Sequence, residues 1–125
     1  MICGVGIDLV EVARMEALLA RWRRRFLEKI FTAEEIAQCE GRGHRAASYA
    51  ARFAAKEACA KALGTGWDHN FSWKDFSVRN DATGRPLPCL SPRLQTRLAG
   101  VTVHLSLSHA EHYATALVIF EKTES

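Results

Sequence analysis

The strongest structural signal in the chain is residues 45–64, which have the sequence RAASYAARFAAKEACAKALG. The segment is rich in alanine, the best helix former, and has no glycine or proline before Gly64. Glycine often follows the last residue of a helix, because it tolerates the left-handed backbone conformation found there. The sequence therefore predicts a long central helix from Arg45 to Leu63.

The residues before this helix predict one strand and two further helices. Residues 2–9 are largely apolar, with glycines at positions 4 and 6, and predict a strand. From Glu11 to about Trp22, apolar residues recur at helical spacing and predict an amphipathic helix. Residues 32–35, TAEE, have the form of a capping box, which opens a short helix that ends at Gly41.

The residues after the central helix predict mainly strands. Residues 75–80 indicate a strand, and residues 80–86, NDATGRP, indicate a turn. Residues 101–108 alternate between apolar and polar side chains, which is typical of a half-buried strand. Residues 113–120 predict another strand, and the short connection makes the two a hairpin. Because strands and helices do not alternate regularly, we expect an α+β fold with a mainly antiparallel sheet on the long central helix.

Composition limits the class of protein. The 125 residues correspond to a single domain, 1–125, because domains have roughly 100–200 residues. The hydrophobic fraction of 48% and charged fraction of 25% are ordinary for a globular protein and exclude a disordered or collagen-like chain. The net charge of +3 is too small to indicate nucleic-acid binding by itself.

Cysteine spacing, the N-terminal residues and the length of the apolar runs bear on where the protein is located. Its four cysteines have neither Cys-x-x-Cys spacing nor a histidine at zinc-ligand spacing. The N-terminus has no basic signal-peptide region, and no apolar run is long enough to cross a membrane. We expect a cytoplasmic protein with reduced thiols and no membrane partner.

Glu57 is the most unusual residue of the predicted central helix. At about 100° per residue, it lies beside the apolar stripe that contains Phe53, not opposite it. A carboxylate in such a place needs a partner or takes up a proton. One interpretation is an ion pair with Lys61, four residues further on. The other is a metal ligand, with Lys61 close enough to meet a phosphate.

Asp8 is the second unusual residue, because it follows an apolar strand and precedes a helix. It is either an N-terminal helix cap or a hard oxygen ligand. Together, Asp8 and Glu57 would supply the two carboxylates that Mg²⁺ commonly takes from a protein, with water and substrate phosphates as its other ligands. Sequence alone does not place the two side chains next to each other.

Basic residues lie on both sides of Glu57 in the chain: Arg52, Lys56 and Lys61. They form either a solvated helix face or a clamp for a polyphosphate, in which positive charge offsets the charge on a leaving group.

Two other motifs are less specific. Gly64-Thr65-Gly66 lacks the lysine of a P-loop, and we interpret it as the end of the central helix. His109 follows the alternating strand and is explained by the hairpin. No Gly-x-Ser-x-Gly elbow is present, so a Ser-His-Asp triad is not indicated.

Several of these segments, in this order, resemble the holo-acyl-carrier-protein synthases of the AcpS type. Residues 4–11, GVGIDLVE, are similar to the opening of that family, and residues 52–58, RFAAKEA, followed by 61–66, KALGTG, to its central signature. Residues 31–35, 80–86, 105–109 and 113–114 also fit. The resemblance covers essentially the whole chain.

The resemblance implies a 4′-phosphopantetheinyl transferase for fatty acid biosynthesis. Such an enzyme moves the phosphopantetheine arm of coenzyme A to a serine of an apo acyl carrier protein and releases adenosine 3′,5′-bisphosphate. The resemblance also implies Mg²⁺, for which Mn²⁺ could substitute, and a homotrimer with coenzyme A bound between neighbouring subunits. It implies no nucleic-acid partner.

Site residues follow from the same resemblance. The metal ligands would be Asp8 and Glu57, and the catalytic residues Glu57 and Lys61, with Lys61 offsetting charge on the phosphate under attack. The serine proton would pass to Glu57 or to a metal-bound water. The expected contacts to coenzyme A are Arg52, Lys56, Gly64, Gly66 and His109.

A basic segment suggests the carrier-binding surface. Residues 21–29, RWRRRFLEK, hold five cations and one anion, and acyl carrier proteins are acidic. Arg14 matches a family position that contacts the carrier, and Arg21 and Arg24 would extend that patch. Two other hypotheses remain: a non-catalytic module that binds an acidic partner or RNA through residues 21–25, and a metal-dependent phosphohydrolase that uses Asp8 and Glu57 on a nucleotide.

Overall fold

The computed structural model describes residues 1–123, so the last two residues of the expected domain lie outside the described residues. The elements in chain order are β1 (Ile2–Glu11), α1 (Val12–Ile30), α2 (Ala33–Glu40), α3 (Arg45–Leu63), β2 (Phe76–Asn80), β3 (Pro86–Leu90), α4 (Pro92–Arg97), β4 (Val101–His109) and β5 (Tyr113–Lys122).

The main sheet has three antiparallel strands in the order β1-β5-β4. Gly6 of β1 pairs with Val118 of β5, which pairs in turn with Leu105 of β4. Strands β2 and β3 form a separate antiparallel pair. The expected α+β fold with antiparallel sheets is confirmed, and β5 separates the two outer strands of the main sheet.

Helix α3 has the predicted bounds and forms the centre of the core. It ends at Gly64, whose φ of 81° is the left-handed conformation expected after a helix. The capping box that opens α2 is also present: the Thr32 hydroxyl accepts from the Glu35 amide, and the Glu35 carboxylate accepts from the Thr32 amide.

Gly6 lets β1 lie directly on α3. A Cβ atom built on Gly6 would lie 2.8 Å from the Ala58 carbonyl carbon and 2.9 Å from the Ala62 amide nitrogen, both backbone atoms of α3. Backbone of a helix core cannot move aside as a flexible side chain would. Glycine at this position therefore sets the spacing between β1, which contains Asp8, and α3, which contains Glu57.

Replacing Gly6 by alanine is expected to lower the free energy of unfolding by about 1–3 kcal/mol or more, because overpacking forces backbone shifts. The measurement is urea unfolding followed by circular dichroism. Gly43→Ala is the matched control, since a Cβ atom at Gly43 meets nothing within 4 Å. Equal stability of the two variants would contradict the close packing of β1 on α3.

The structure departs from the sequence-based expectation at three places. Helix α1 continues beyond Trp22 to Ile30, because buried Leu27 and Ile30 extend the apolar stripe through the arginine-rich segment. The strand β3 was not expected, since its two prolines disfavour strands, but it pairs only with β2. Helix α4 was also not expected, although Ser91 caps it and Pro92 occupies its first turn.

Candidate functional site

Asp8 lies inside β1, not at the start of a helix, so the interpretation as an N-terminal cap is wrong. Helix α1 begins at Val12 with Glu11 at its N-cap position. Asp8 pairs in register with Ala116, a residue buried beneath α3. Because alternate strand residues share a face, Asp8 follows Gly4 and Gly6 on the side of the sheet that faces α3.

Lys61 joins β1 to α3 at this point. Its Nζ donates to Oδ1 of Asp8 at 3.1 Å and to the backbone oxygen of Ile7 at 2.9 Å. The Asp8 side chain is 17% exposed and that of Lys61 is 55% exposed, so the pair lies at the edge of the helix–sheet interface and is open to solvent. The ion pair that the sequence suggested for Lys61 is therefore made with Asp8.

Glu57 lies four residues before Lys61 on α3, hence on the same side of the helix. It is partly exposed, and its Oε2 accepts a hydrogen bond from Nε1 of Trp67 at 3.2 Å. The structure thus places Lys61 against Asp8, and Glu57 one helical turn before Lys61 on the same side of α3. Carboxylate oxygens are ligands that a small divalent cation prefers, and the Lys61 ammonium carries a charge that attracts a phosphate.

Lys56 does not belong to this open site, contrary to the expectation that it contacts coenzyme A. Its side chain is fully buried, and Nζ lies 2.9 Å from Oε1 of the equally buried Glu35. Nζ also donates to the backbone oxygens of Trp73 and Phe76 at 2.8 and 2.7 Å. Burial lowers the pKa of Lys56, and the Glu35 carboxylate opposes that shift. With three partners and no exposed surface, this ammonium has no face to offer a phosphate.

Arg52 and His109 lie together at a different place. Both line a cavity of about 160 Å³ beside β4, which Arg42 and Asn80 also line. Arg52 is 3% exposed and donates from Nη2 to the Gln38 side chain at 3.0 Å. Among residues 1–123, its buried Nε has no hydrogen-bond partner. The residues that line this cavity include two arginines and no carboxylate, so its charge suits an anionic ligand.

A larger cavity of about 740 Å³ shares His109 with the first. Its lining carries both signs of charge: His44 and Arg45, at the beginning of α3, line it together with Glu16 and Glu111. A helix N-terminus favours anions because its amide groups are not bonded within the helix. Sequence reasoning did not single out Arg42, His44 or Arg45, although a run of basic residues just before a long helix is a usable signal.

The two groups of site residues lie at opposite edges of the main sheet. Lys61 reaches β1, whereas the cavity beside Arg52 is lined by Leu107 and His109 of β4, and β5 lies between these strands. One described chain therefore presents two separate groups of candidate residues: Asp8, Glu57 and Lys61 at β1, and the cavity lined by Arg42 and Arg52 at β4.

Gly64 and Gly66 lie in the loop after α3, both with positive φ, at 81° and 66°. Arg97 donates to the Thr65 hydroxyl at 2.8 Å and fixes this turn. Further along the same loop, Asp75 accepts hydrogen bonds from Arg93 at 2.9 and 2.6 Å. Burial alone would raise the pKa of Asp75, but the hydrogen bonds it accepts from Arg93, Ser72 and Ser91 lower it to about 2.

The basic residues of α1 separate into different faces. At about 100° per residue, Arg14, Arg21 and Arg25 lie within about 40° of one another, on one exposed face. Arg24 lies about 60° from Arg21 and is 3.6 Å from the Glu28 carboxylate. Arg23 lies 3.6 Å from Glu40 of α2. The expected patch is therefore centred on Arg14 and Arg21, with Arg24 at its margin.

Comparison with known proteins gives a consistent result. The model of the 4′-phosphopantetheinyl transferase superfamily matches residues 4–118. A holo-[acyl-carrier-protein] synthase of Protochlamydia amoebophila is 42% identical over 120 residues, which cover 96% of this chain and 98% of that protein.

Two solved structures are similar over nearly their whole length. A holo-(acyl-carrier-protein) synthase of Bacillus anthracis in complex with CoA (3′,5′-ADP) has a TM-score of 0.84 and 38% identity, covering 98% of this chain and 99% of that one. The Helicobacter pylori holo-[acyl-carrier-protein] synthase in complex with coenzyme A has a TM-score of 0.84 and 32% identity, covering 94% and 99%.

Proposed function

The chain belongs to the 4′-phosphopantetheinyl transferase superfamily, and from that premise we propose that Asp8, Glu57 and Lys61 form its catalytic centre. The observation that carries the proposal is the 3.1 Å contact between Lys61 and Asp8, made on the same side of α3 as Glu57. We also propose that residues 1–125 form a single transferase domain.

The enzyme transfers phosphopantetheine from coenzyme A to an apo acyl carrier protein. The hydroxyl oxygen of the carrier serine forms a bond to the phosphorus that bears pantetheine. The bond from that phosphorus to the bridging pyrophosphate oxygen breaks, and adenosine 3′,5′-bisphosphate leaves with the electron pair. The hydroxyl proton passes to a base.

Asp8 and Glu57 would hold Mg²⁺, which fits their chemistry. Carboxylate oxygens are preferred ligands of Mg²⁺, and both side chains are accessible from solvent. When bound, the cation neutralises charge that develops on the pyrophosphate oxygens. Mn²⁺ would be accepted by the same oxygen ligands.

Lys61 would contribute a positive charge beside the reacting phosphate. Its ammonium is held by Asp8 and by the Ile7 carbonyl, so its position is fixed before substrate arrives. A preorganised cation stabilises transition-state charge without the cost of reorganisation during the reaction.

The adenosine bisphosphate end of coenzyme A would occupy the cavity lined by Arg42 and Arg52 at the other edge of the sheet. Arg52 and His109 would contact the nucleotide, and Arg42, which lines the same cavity, would join them. Arg45 lines the neighbouring cavity but is already paired with Glu40 at 2.7 Å. Gly64 and Gly66 would let the loop backbone approach the ligand. Lys56 is assigned to the core, not to coenzyme A.

We propose a homotrimer in which these two edges meet across a subunit boundary. The side of β1 that faces away from α3 presents Val5, Ile7 and Leu9, which are 55%, 60% and 63% exposed. Adjacent exposed apolar side chains on one strand mark an interface, because they are rarely left in water. Contact between subunits at β1 would bring the Asp8, Glu57 and Lys61 side chains of one subunit next to the arginine-lined cavity of its neighbour, and the two would form one complete site. A monomeric form seen by sedimentation should then be inactive.

We also propose that the enzyme is cytoplasmic. All four cysteines are free thiols, as is usual in a reducing compartment. No helix within residues 1–123 has the length and apolar character needed to cross a membrane.

Reversing one charge on α1 tests the carrier surface. Arg21→Glu is expected to raise KM for the carrier about tenfold, with a smaller change in kcat, because charge complementarity acts mainly on encounter. The effect should shrink at high salt, which screens exposed charges. Lys74→Glu, an equal charge change at an exposed residue outside α1, is the control. Equal KM values for the two variants would remove α1 from the carrier surface.

The proposed function is tested by mass spectrometry of an apo carrier protein incubated with the enzyme, coenzyme A and Mg²⁺. We expect the carrier to gain the mass of phosphopantetheine, and a chelator to prevent the gain. Release of phosphopantetheine into water without carrier would instead support a phosphohydrolase. An unmodified carrier, with binding that survives loss of Glu57, would support a non-catalytic module.

A further inference from the structure

Trp67 makes a hydrogen bond to Glu57 that the proposed function does not yet use. Its indole Nε1 donates to Oε2 of Glu57 at 3.2 Å. Within the described part of the chain, this is the one hydrogen bond that the Glu57 carboxylate accepts, so its second oxygen, Oε1, is left to a ligand from outside the chain. An indole has a single donor and no acceptor, so the contact fixes which group on Trp67 points at the carboxylate.

The indole is itself held on both sides by aromatic rings. Trp67 stacks on Phe71, with ring centroids 4.8 Å apart. The centroids of the Trp67 and Trp73 rings are 4.0 Å apart. Trp73 stacks in turn on Phe53 of α3 at 5.1 Å. These four rings, which we call the aromatic ladder, link Trp67 to α3, the helix that contains Glu57.

The loop on either side of Trp67 is held by two arginines of α4. Arg97 reaches both the Thr65 hydroxyl and, at 4.0 Å, the Asp68 carboxylate. Arg93 donates to the His69 carbonyl oxygen at 3.2 Å. These contacts restrain the backbone on both sides of Trp67, so the hydrogen bond to Glu57 does not depend on the indole alone.

We propose that Trp67 is a positioning residue for the metal-ligating carboxylate, an inference that rests on the proposed role of Glu57. A glutamate side chain at a helix surface samples many rotamers, and ordering it reduces the entropy lost when it binds a cation. Partners that hydrogen-bond a ligating group orient it, and their loss commonly weakens metal affinity about 10–100-fold. Trp67 has that relation to Glu57.

The hydrogen bond can be measured without any metal. The chain has three tryptophans, Trp22, Trp67 and Trp73, so a ¹H–¹⁵N spectrum should show three indole signals, assigned by Trp→Phe variants. In the metal-free protein, Glu57→Ala is expected to shift the Trp67 indole signal most, because it removes the acceptor. An unmoved Trp67 signal would overturn the proposal.

Metal affinity gives the second measurement, with Mn²⁺ as the probe in the presence of coenzyme A. Trp67→Phe keeps an aromatic ring but removes the donor, and is expected to weaken Mn²⁺ binding about 10–100-fold. Trp73→Phe is the matched control, because Trp73 belongs to the same ladder without contacting Glu57 through its indole nitrogen; we expect less than about a threefold change. Similar Mn²⁺ affinities in both variants would overturn the positioning role.

The two proposals fail in different ways. If the wild-type protein binds Mn²⁺ and Glu57→Gln does not, the metal assignment stands, and Trp67→Phe then decides the positioning role. If Glu57→Gln binds Mn²⁺ as well as the wild type, the ligand assignment of Glu57 is wrong, and the inference about Trp67 is wrong with it. Equal melting temperatures of the two Trp→Phe variants would show that the affinity difference is local.

Discussion

Replacing Glu57 by glutamine is expected to lower kcat/KM for carrier modification by about 10³-fold, since charge stabilisation by a bound metal is worth several kcal/mol. The amide keeps the shape of the side chain and an oxygen that can accept from Trp67. It loses the negative charge that we propose to hold the cation. Carrier binding through α1 should be unaffected, because Arg14 and Arg21 lie on a different helix.

The control for this variant is Glu34→Gln. Glu34 is a surface carboxylate on α2, 59% exposed and 3.9 Å from Arg79, so its loss changes net charge by the same amount. Kinetics of the two variants at saturating Mg²⁺ separate a site effect from a charge effect. Activity of Glu57→Gln within about tenfold of the control would contradict a ligand role for Glu57.

Replacing Lys56 by methionine is expected to lower the free energy of unfolding by about 3–5 kcal/mol, because it leaves the buried Glu35 carboxylate without its cation. Glu35 is 1% exposed and also accepts from the Val78 amide at 2.9 Å. The pair thus connects α2, α3 and β2. Urea unfolding at neutral pH measures the loss.

Arg79→Met is the matched control for the buried pair. The Arg79–Glu34 pair is exposed on both sides, and such pairs are worth about 0–1 kcal/mol. In the double variant Glu35→Gln with Lys56→Met, part of the lost stability should return, because no buried charge remains unpaired. A Lys56→Met variant as stable as Arg79→Met would contradict the structural assignment of Lys56.

The fold could be predicted where local chemistry determines the structure. Alanine content and Gly64 determine α3, the capping box determines the start of α2, and strict alternation marks β4. The strand β3 could not be predicted, because its prolines disfavour a strand and only pairing with β2 explains it. The full length of α1 was missed because arginines obscure an apolar stripe that continues to Ile30.

The candidate site was predictable in its residue types but not in its contacts. Asp8 and Glu57 stand out because carboxylates are unusual beside apolar surfaces, yet only the packing of β1 on α3 at Gly6 brings Asp8 to Lys61, on the side of the helix that also holds Glu57. Lys56 and Lys61 look alike in sequence, and burial alone separates them. Trp67 gave no sequence signal, since its role depends on a loop conformation fixed by distant arginines.

The shared cation is tested most directly by anomalous diffraction from crystals grown with coenzyme A and Mn²⁺. We predict a manganese peak within coordinating distance of one oxygen of Asp8 and one of Glu57, beside the pyrophosphate. A manganese peak that contacts neither carboxylate would contradict the proposal that these two side chains hold the metal.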